Sequence, residues 1–334
     1  MPKTLSRRAL TCASAVVFVA GCSGGPTSLA PSGQPAAQSS ARQSQPGLRM
    51  LPGPAVAGPI FVPRIVKPAR VTGVRPGKSA AVLYVADPQG NKVLTYDPKT
   101  PNPSPNGSVT TGIDTPAGLA VDKSGTLYVA NLGNNTITVY PAGQSSPSLT
   151  ISSGVDGPYG LGVDSKGDIF ISNLNNNTVV GYKAGQTAPF ETVTGFDNPV
   201  GVAVDSKNNV YVACDSNNTV YVIPAGSSQM QSAGLTGLSG PIGLAFEKKD
   251  TLYVSNFAAN NIAIYPSGQT SPSGTLTTDV NSPTLSGFAK KNVFFQAQQS
   301  GTVIGFKSGQ TSPFSTITGN PQPLGVASFP LEKK

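Results

Sequence analysis

The chain has 334 residues, of which 38% are hydrophobic and only 11% charged, with 38 Gly, 31 Pro, no Trp, no His and a formal charge of +8. The absence of histidine removes histidine-based triads, histidine general bases and histidine metal ligands together. The positive charge does not belong to the body: all seven arginines precede residue 76, and from Ser79 onward 13 lysines face 15 Asp plus Glu. Nothing after Ser79 can form an arginine clamp for phosphate, and no clustered basic groove for nucleic acid is present in that stretch.

The first residues, MPKTLSRRALTCASAVVFVAGC, place Lys3, Arg7 and Arg8 before an uncharged run from Ala9 to Gly21. A membrane-spanning helix needs about 20 apolar residues, so this shorter run reads as an export signal. Val19-Ala20-Gly21-Cys22 resembles the bacterial lipobox, which implies cleavage before Cys22 and its diacylation; the alternative is an ordinary signal peptide with a chance cysteine. Ser6-Arg7-Arg8-Ala9-Leu10 also resembles a twin-arginine motif, so the export route stays open. Ser23 after the cysteine favours the outer membrane or the cell surface. With Cys12 in the signal and Cys22 lipidated, Cys214 is the one thiol of the body and a disulfide framework is excluded.

Residues 22–79 follow as a tether whose Ser-, Pro-, Gly- and Gln-rich composition cannot bury enough apolar surface to order it. Its end, VPRIVKPARVTGVRPGK at 62–78, is more apolar and carries five positive charges. Either it lies against an anionic envelope surface or it is a basic, solubilising linker.

From about residue 80 the sequence repeats. Aromatic anchors stand at Tyr84, Tyr128, Phe170, Tyr211, Tyr253 and Phe294, and a proline column at Pro116, Pro158, Pro199, Pro241, Pro283 and Pro323. The proline opens PAGLAVD, PYGLGVD, PVGVAVD and PIGLAFE, then the weaker PTLSGFA and PLGVASF. Each period holds four short β-like runs between turn residues, the signature of a propeller blade of roughly 40–45 residues. The first unit supplies only strands near 82–86, 93–96 and 108–111, and GVASF at 325–329 supplies the missing one. The prediction is an all-β, six-bladed β-propeller with four antiparallel strands per blade, spanning 80–330, closed by a composite N-/C-terminal blade and followed by a tail at 331–334.

The alternation of P-x-G-[LV]-A-V-D, LYVAN, N-[NT]-x-[VI] and Y-x-x-G resembles NHL-type six-bladed propellers, with gluconolactonase-like propellers as related families. The gluconolactonase resemblance would imply one metal held by Glu, Asn and Asp, but the E-G-P-x-W stretch of those enzymes is absent here. The streptogramin-lyase propellers rely on a histidine, which this chain lacks.

Anchored on the aromatic column, Asn131 aligns with Asp87, Asn173, Cys214, Asn256 and Ala297, and Asn135 with Asn91, Asn177, Asn218, Asn260 and Gly301. Side chains repeated at one turn in nearly every blade are expected to shape the hairpin between second and third strands. Asp122, Asp164, Asp205 and Glu247 end first strands and read as turn residues. Asp114, Asp156 and Asp197 stand two residues before the repeat proline, with Asn281 in the same column of a later blade. They are expected to rim one mouth of the central channel. There they either start the incoming turn or hold a ligand or a hard cation such as Ca²⁺, which takes 6–8 oxygens. Tyr159, Val200 and Ile242, just after the proline, are the channel-mouth contacts; Tyr128, Tyr211 and Tyr253 are expected in the core. Cys214, with Asp215 beside it and no neighbouring cation, is expected to be inert.

The expected function is that of a lipid-anchored, non-catalytic binding module of the cell envelope, monomeric and exported, with a protein, peptide or glycan partner. No nucleic acid and no cofactor are expected unless the acidic rim binds a divalent ion. The alternatives are a metal-dependent lactonase-like hydrolase using that rim, and an envelope spacer. A near-neutral body rich in Asn, Ser and Thr is expected to recognise its partner through hydrogen bonds more than through electrostatic steering.

Overall fold

In the computed structural model residues 81–329 are described; Cys22, the tether and the tail at 331–334 lie outside them. These residues form 24 strands in six four-stranded sheets, and each neighbouring pair of strands is antiparallel. Blade 1 is the composite one. Its inner strand, Val326–Phe329, comes from the end of the chain and pairs with Val82–Asp87 from the beginning, with Val85 opposite Val326 and Val82 opposite Phe329. Blades 2 to 6 are continuous, with inner strands Pro116–Val121, Pro158–Val163, Pro199–Val204, Pro241–Phe246 and Pro283–Ala289. The fold class, closure and blade number expected from the repeat are those observed. Closing the ring with strands from both ends leaves no inner edge to open.

Why the inner strands begin at proline follows from their place. Proline lacks an N–H, and the pairing with the second strand is irregular immediately after it, as between Pro116 and Leu119 or Pro158 and Leu161. Beyond this irregularity the alternation of short β-branched and aromatic residues fills the space between blades. Buried apolar residues fall into six clusters, each drawn from two adjacent blades; Tyr128, Ile137 and Ile151 of blade 2, for instance, pack with Ile169, Ile171 and Val180 of blade 3. The core is therefore a ring of blade junctions, and each blade depends on both neighbours for its buried surface.

The glycine of the P-x-G phrase sets how closely the inner strands approach. A Cβ on Gly160 would lie 2.1 Å from the carbonyl oxygen of Val200 in the next blade, and the equivalent glycines of four other blades meet a neighbouring carbonyl at 2.0–2.3 Å. Blade 6 has Leu285 at that position, and its backbone N–H instead donates to the Leu324 carbonyl of blade 1 at 3.0 Å.

Strand direction sorts the loops. The hairpins joining second to third strands lie on one face with the loops that lead into the inner strands; we call this the hairpin face. The turns joining first to second strands, and third to fourth, lie on the opposite face. Val82, where the described chain enters blade 1, is on that opposite face, beside Phe329.

Candidate functional site

The hairpin face is built by a repeated pair of asparagines. The first member, at the end of the second strand, is buried. The Asn131 Oδ1 accepts the Asp114 N–H at 3.1 Å, and its Nδ2 donates to Thr138 Oγ1 at 2.9 Å. Asn173 treats Asp156 in the same way, and Asn256 treats Ser239, each at 3.1 Å. The second member reaches across a blade boundary. Asn91 Oδ1 accepts the Thr115 N–H at 2.8 Å, Asn135 accepts that of Gly157 at 2.8 Å, and Asn177 that of Asn198 at 3.0 Å. Asn218 and Asn260 likewise hold Gly240 and Ser282, both at 2.6 Å. The two residues before each of these prolines are thus pinned separately, one by their own blade and one by the preceding blade.

These geometries correct the sequence reading in two respects. The Asn135 column does occupy left-handed turn positions, with φ of 47–57° for its asparagines and 97° for Gly301. The asparagines of the Asn131 column do not turn the chain: their carboxamides are buried inside the blade and satisfy backbone groups of the incoming loop. In blade 6 the equivalent of Asn131 is Gln298, not Ala297, since Gln298 accepts the Asn281 N–H and donates to the Asp279 carbonyl at 3.0 Å. The register slips because Gln298 and Thr302 enclose three hairpin residues where Asn131 and Thr136 enclose four, and the aromatic equivalent to Tyr128 is Phe295.

The candidate acids are distributed over three blades. Asp114 accepts from its neighbour Thr115 at 3.3 Å, and Asp156 from Asn175 of its own hairpin at 2.8 Å. Asp197 is exposed and its N–H is held by the sulfur of Cys214. Asn281 is exposed on blade 6, apart from the others. Among the described residues no three His, Cys, Asp or Glu side chains, Asp114, Asp156 and Asp197 included, converge on a point that could hold a metal ion.

The structure brings together a different group where blades 3 and 4 meet. Asn198, next to Asp197, donates to Asp215 in the adjoining hairpin. Burial, and then the charge of Asp215, push the Tyr159 hydroxyl up to about 12. Burial first, opposed by the Asp197 backbone hydrogen bond and reinforced by the Asp197 and Asp215 charges, pushes the Cys214 thiol up to about 12 as well. Cys214 is fully buried. Around the channel the residues after the proline alternate in exposure: Val200 and Thr284 are buried, while Tyr159 and Ile242 stay half-buried. Of the second-strand tyrosines, Tyr128 and Tyr253 are core, and Tyr211 is half-buried against Phe246. Asp215 was not singled out from sequence; the signal for it is a lone charge at a hairpin position occupied by Leu132, Leu174 and Phe257 in other blades.

Taken by face, the charges separate. The hairpin face bears five aspartates at its surface, Asp114, Asp156, Asp197, Asp215 and Asp279, while a sixth, Asp87, is buried and pairs with the single lysine of this face, Lys92, at 3.5 Å. The other ten lysines of the described residues are all on the opposite face, every one exposed. On that face the ten lysines stand with eight acids, Asp97, Asp122, Asp164, Asp168, Glu191, Asp205, Glu247 and Asp250, so the near-neutral total conceals an acidic hairpin face and a weakly basic opposite face.

Comparison with known proteins agrees with this architecture. The NHL repeat family model matches residues 114–140 and 196–222, in the regions of blades 2 and 4. No curated protein matches the sequence. Among solved structures, a chain of a nidogen/laminin complex is similar at 16% identity and TM-score 0.63, covering 74% of this chain and 98% of its own. A Streptogramin B lyase structure is similar at 15% identity and TM-score 0.56, covering 74% and 83%. A protein of unknown function from Bacteroides caccae is similar at 10% identity and TM-score 0.61, covering 76% and 100%. At these identities the likeness is one of fold, shared by a protein in a binding complex and by a lyase. With its six four-stranded blades and its composite closure, this chain is a six-bladed β-propeller in which two segments, in blades 2 and 4, match the NHL repeat.

Proposed function

We propose that the chain is a lipid-anchored binding module of the cell envelope whose hairpin face receives a basic segment of a protein partner. The observation that carries this reading is the hairpin face itself, with five aspartates at its surface, its one lysine paired with the buried Asp87, and a double set of backbone ties holding the loops in place. A rigid acidic surface costs little to order on binding and raises the encounter rate of a cationic partner. The half-buried Tyr159 and Ile242 at the channel mouth offer apolar contact between the charges. The anchor is Cys22, through the lipobox-like Val19–Cys22 stretch. The nidogen/laminin neighbour supports binding as a use of this fold, and the identity of its partner stays with that protein.

The test is the affinity of a fluorescent lysine-rich peptide for the unlipidated chain, followed by anisotropy at two salt concentrations. Asp156→Asn, Asp197→Asn and Asp215→Asn combined should weaken binding at least tenfold and flatten the salt dependence. Equal affinity for an acidic peptide of the same length would contradict the reading.

A further inference from the structure

We propose that the lysine-bearing face seats the propeller on an anionic phospholipid surface, leaving the acidic hairpin face turned away from the membrane. The turn between first and second strands carries Lys123 in blade 2, Lys166 in blade 3, Lys207 in blade 4, Lys248–Lys249 in blade 5 and Lys290–Lys291 in blade 6. These turns belong to the innermost strands, so the lysines encircle the channel on one side.

Eight acids accompany the lysines on this face; in three of these turns they are directed inward, while in blade 5 Glu247 accepts from the Tyr253 hydroxyl and Asp250 from Ser206 of blade 4. Asp122 Oδ1 accepts the N–H groups of Ser124 and Thr126 at 2.8 and 2.9 Å. Asp164 and Asp205 hold their turns with the same pair of bonds. Each of these three turns therefore folds its acid into the backbone; Lys166 and Lys207 extend into solvent, and the exposed Lys123 ammonium donates to the Ser165 carbonyl of blade 3 at 3.2 Å. Among the described residues only Lys92 and Lys183 form ion pairs, so none of the turn lysines is neutralised by one.

Two further observations select a membrane as the occupant. The described chain enters the body at this face, at Val82, and the sequence leading to it carries Arg64, Lys67, Arg70, Arg75 and Lys78 with no acid among them. The segment that would lead to a lipidated Cys22 thus joins the body on its lysine-bearing side. Secondly, Phe190 is the exposed large hydrophobic residue of the described region, at 43%, and it lies beside the turn of this same face with Lys183 3.9 Å over its ring. An aromatic body flanked by a lysine suits the boundary between headgroups and acyl chains.

The inference shares only the anchor with the reading of the hairpin face, and vesicle binding is measured without peptide, so either can fail alone. The experiment is co-sedimentation of the chain from residue 22 onward, bearing Cys22→Ala, with vesicles of phosphatidylglycerol and phosphatidylcholine in equal parts, and with phosphatidylcholine alone. Binding should require phosphatidylglycerol and decline with salt. Lys123→Gln, Lys166→Gln and Lys207→Gln together should weaken it about 100-fold, roughly fivefold for each charge removed near an anionic surface. Lys92→Gln, on the other face, should leave it unchanged. Because the three lysines are exposed, circular dichroism should show the triple variant folded like the parent. Undiminished binding by the triple variant would assign the contact to residues 62–78 and overturn the proposal. So would capture by a soluble polyanion, dextran sulfate, without binding to vesicles, or no binding at all.

Discussion

The Oδ1 of Asn135 accepts the backbone N–H of Gly157 at 2.8 Å, across the boundary between blades 2 and 3. One residue thus takes a left-handed turn conformation within its own hairpin and fixes the loop that begins the next blade. Asn135→Ala should lose both, at about 1 kcal/mol for the hydrogen bond and about 1–2 kcal/mol for the backbone. Asn135→Gly should lose only the bond. In thermal unfolding the alanine variant should melt several degrees lower and the glycine variant between it and the parent, at about 2–4 °C per kcal/mol for a body of this size. Equal melting temperatures for all three would remove the inter-blade tie from the account.

Gly160→Ala tests the approach of the inner strands. The added Cβ would meet the Val200 carbonyl at 2.1 Å, and backbone cannot swing away as a side chain can. The expected result is failure to fold, or a loss of at least about 3 kcal/mol. Gly143→Ala, whose Cβ meets nothing within 4 Å although φ is +72°, should cost about 1–2 kcal/mol. Expression and melting of the two variants side by side distinguish crowding from conformation.

Cys214→Asn should restore the tie used by the other blades. The carboxamide can accept the Asp197 N–H, as Asn131 and Asn173 accept those of Asp114 and Asp156. Stability should stay within about 0.5 kcal/mol of the parent or rise by about 1 kcal/mol, the worth of one buried hydrogen bond. A large loss in chemical denaturation would mean that the cavity of Cys214 is shaped for sulfur.

Alkaline pH should weaken the body through Tyr159. Its hydroxyl titrates higher when folded, up to about 12 from 10.0, so the folded state holds the proton more tightly. The associated stability is complete below pH 10 and is lost as pH rises toward 12. Tyr159→Phe has no proton to lose there. Its melting temperature should fall less than that of the parent between pH 10 and 12, and parallel curves would contradict the placement of Tyr159 beside Asp215.

Much of this architecture was legible because each blade repeats the same local problem. The proline column marks where an inner strand starts, and the Asn135 column marks a turn that needs φ above zero; both are properties of single residues. The role of Asn131 was not legible, since its position beside a hairpin says nothing of a side chain directed inward to another loop. The slip to Gln298 was hidden for a similar reason: a hairpin shortened by one residue offsets a strand lengthened by one, and the spacing of the repeat barely changes. The charge separation was obscured by summing. Aspartates before the proline and lysines after the inner strand lie only several residues apart in sequence, as Asp114 and Lys123 do, but the length of the strand carries them to opposite faces.

The central claim is that the acidic hairpin face binds a basic partner while the lysine face does not. Amide hydrogen exchange of the unlipidated chain, with and without a lysine-rich peptide, tests it directly. The account predicts new protection in the hairpins at 174–177 and 215–218 and none in the turns at 123–125 and 165–167. Protection confined to the lysine turns, or spread evenly over both faces, would contradict it.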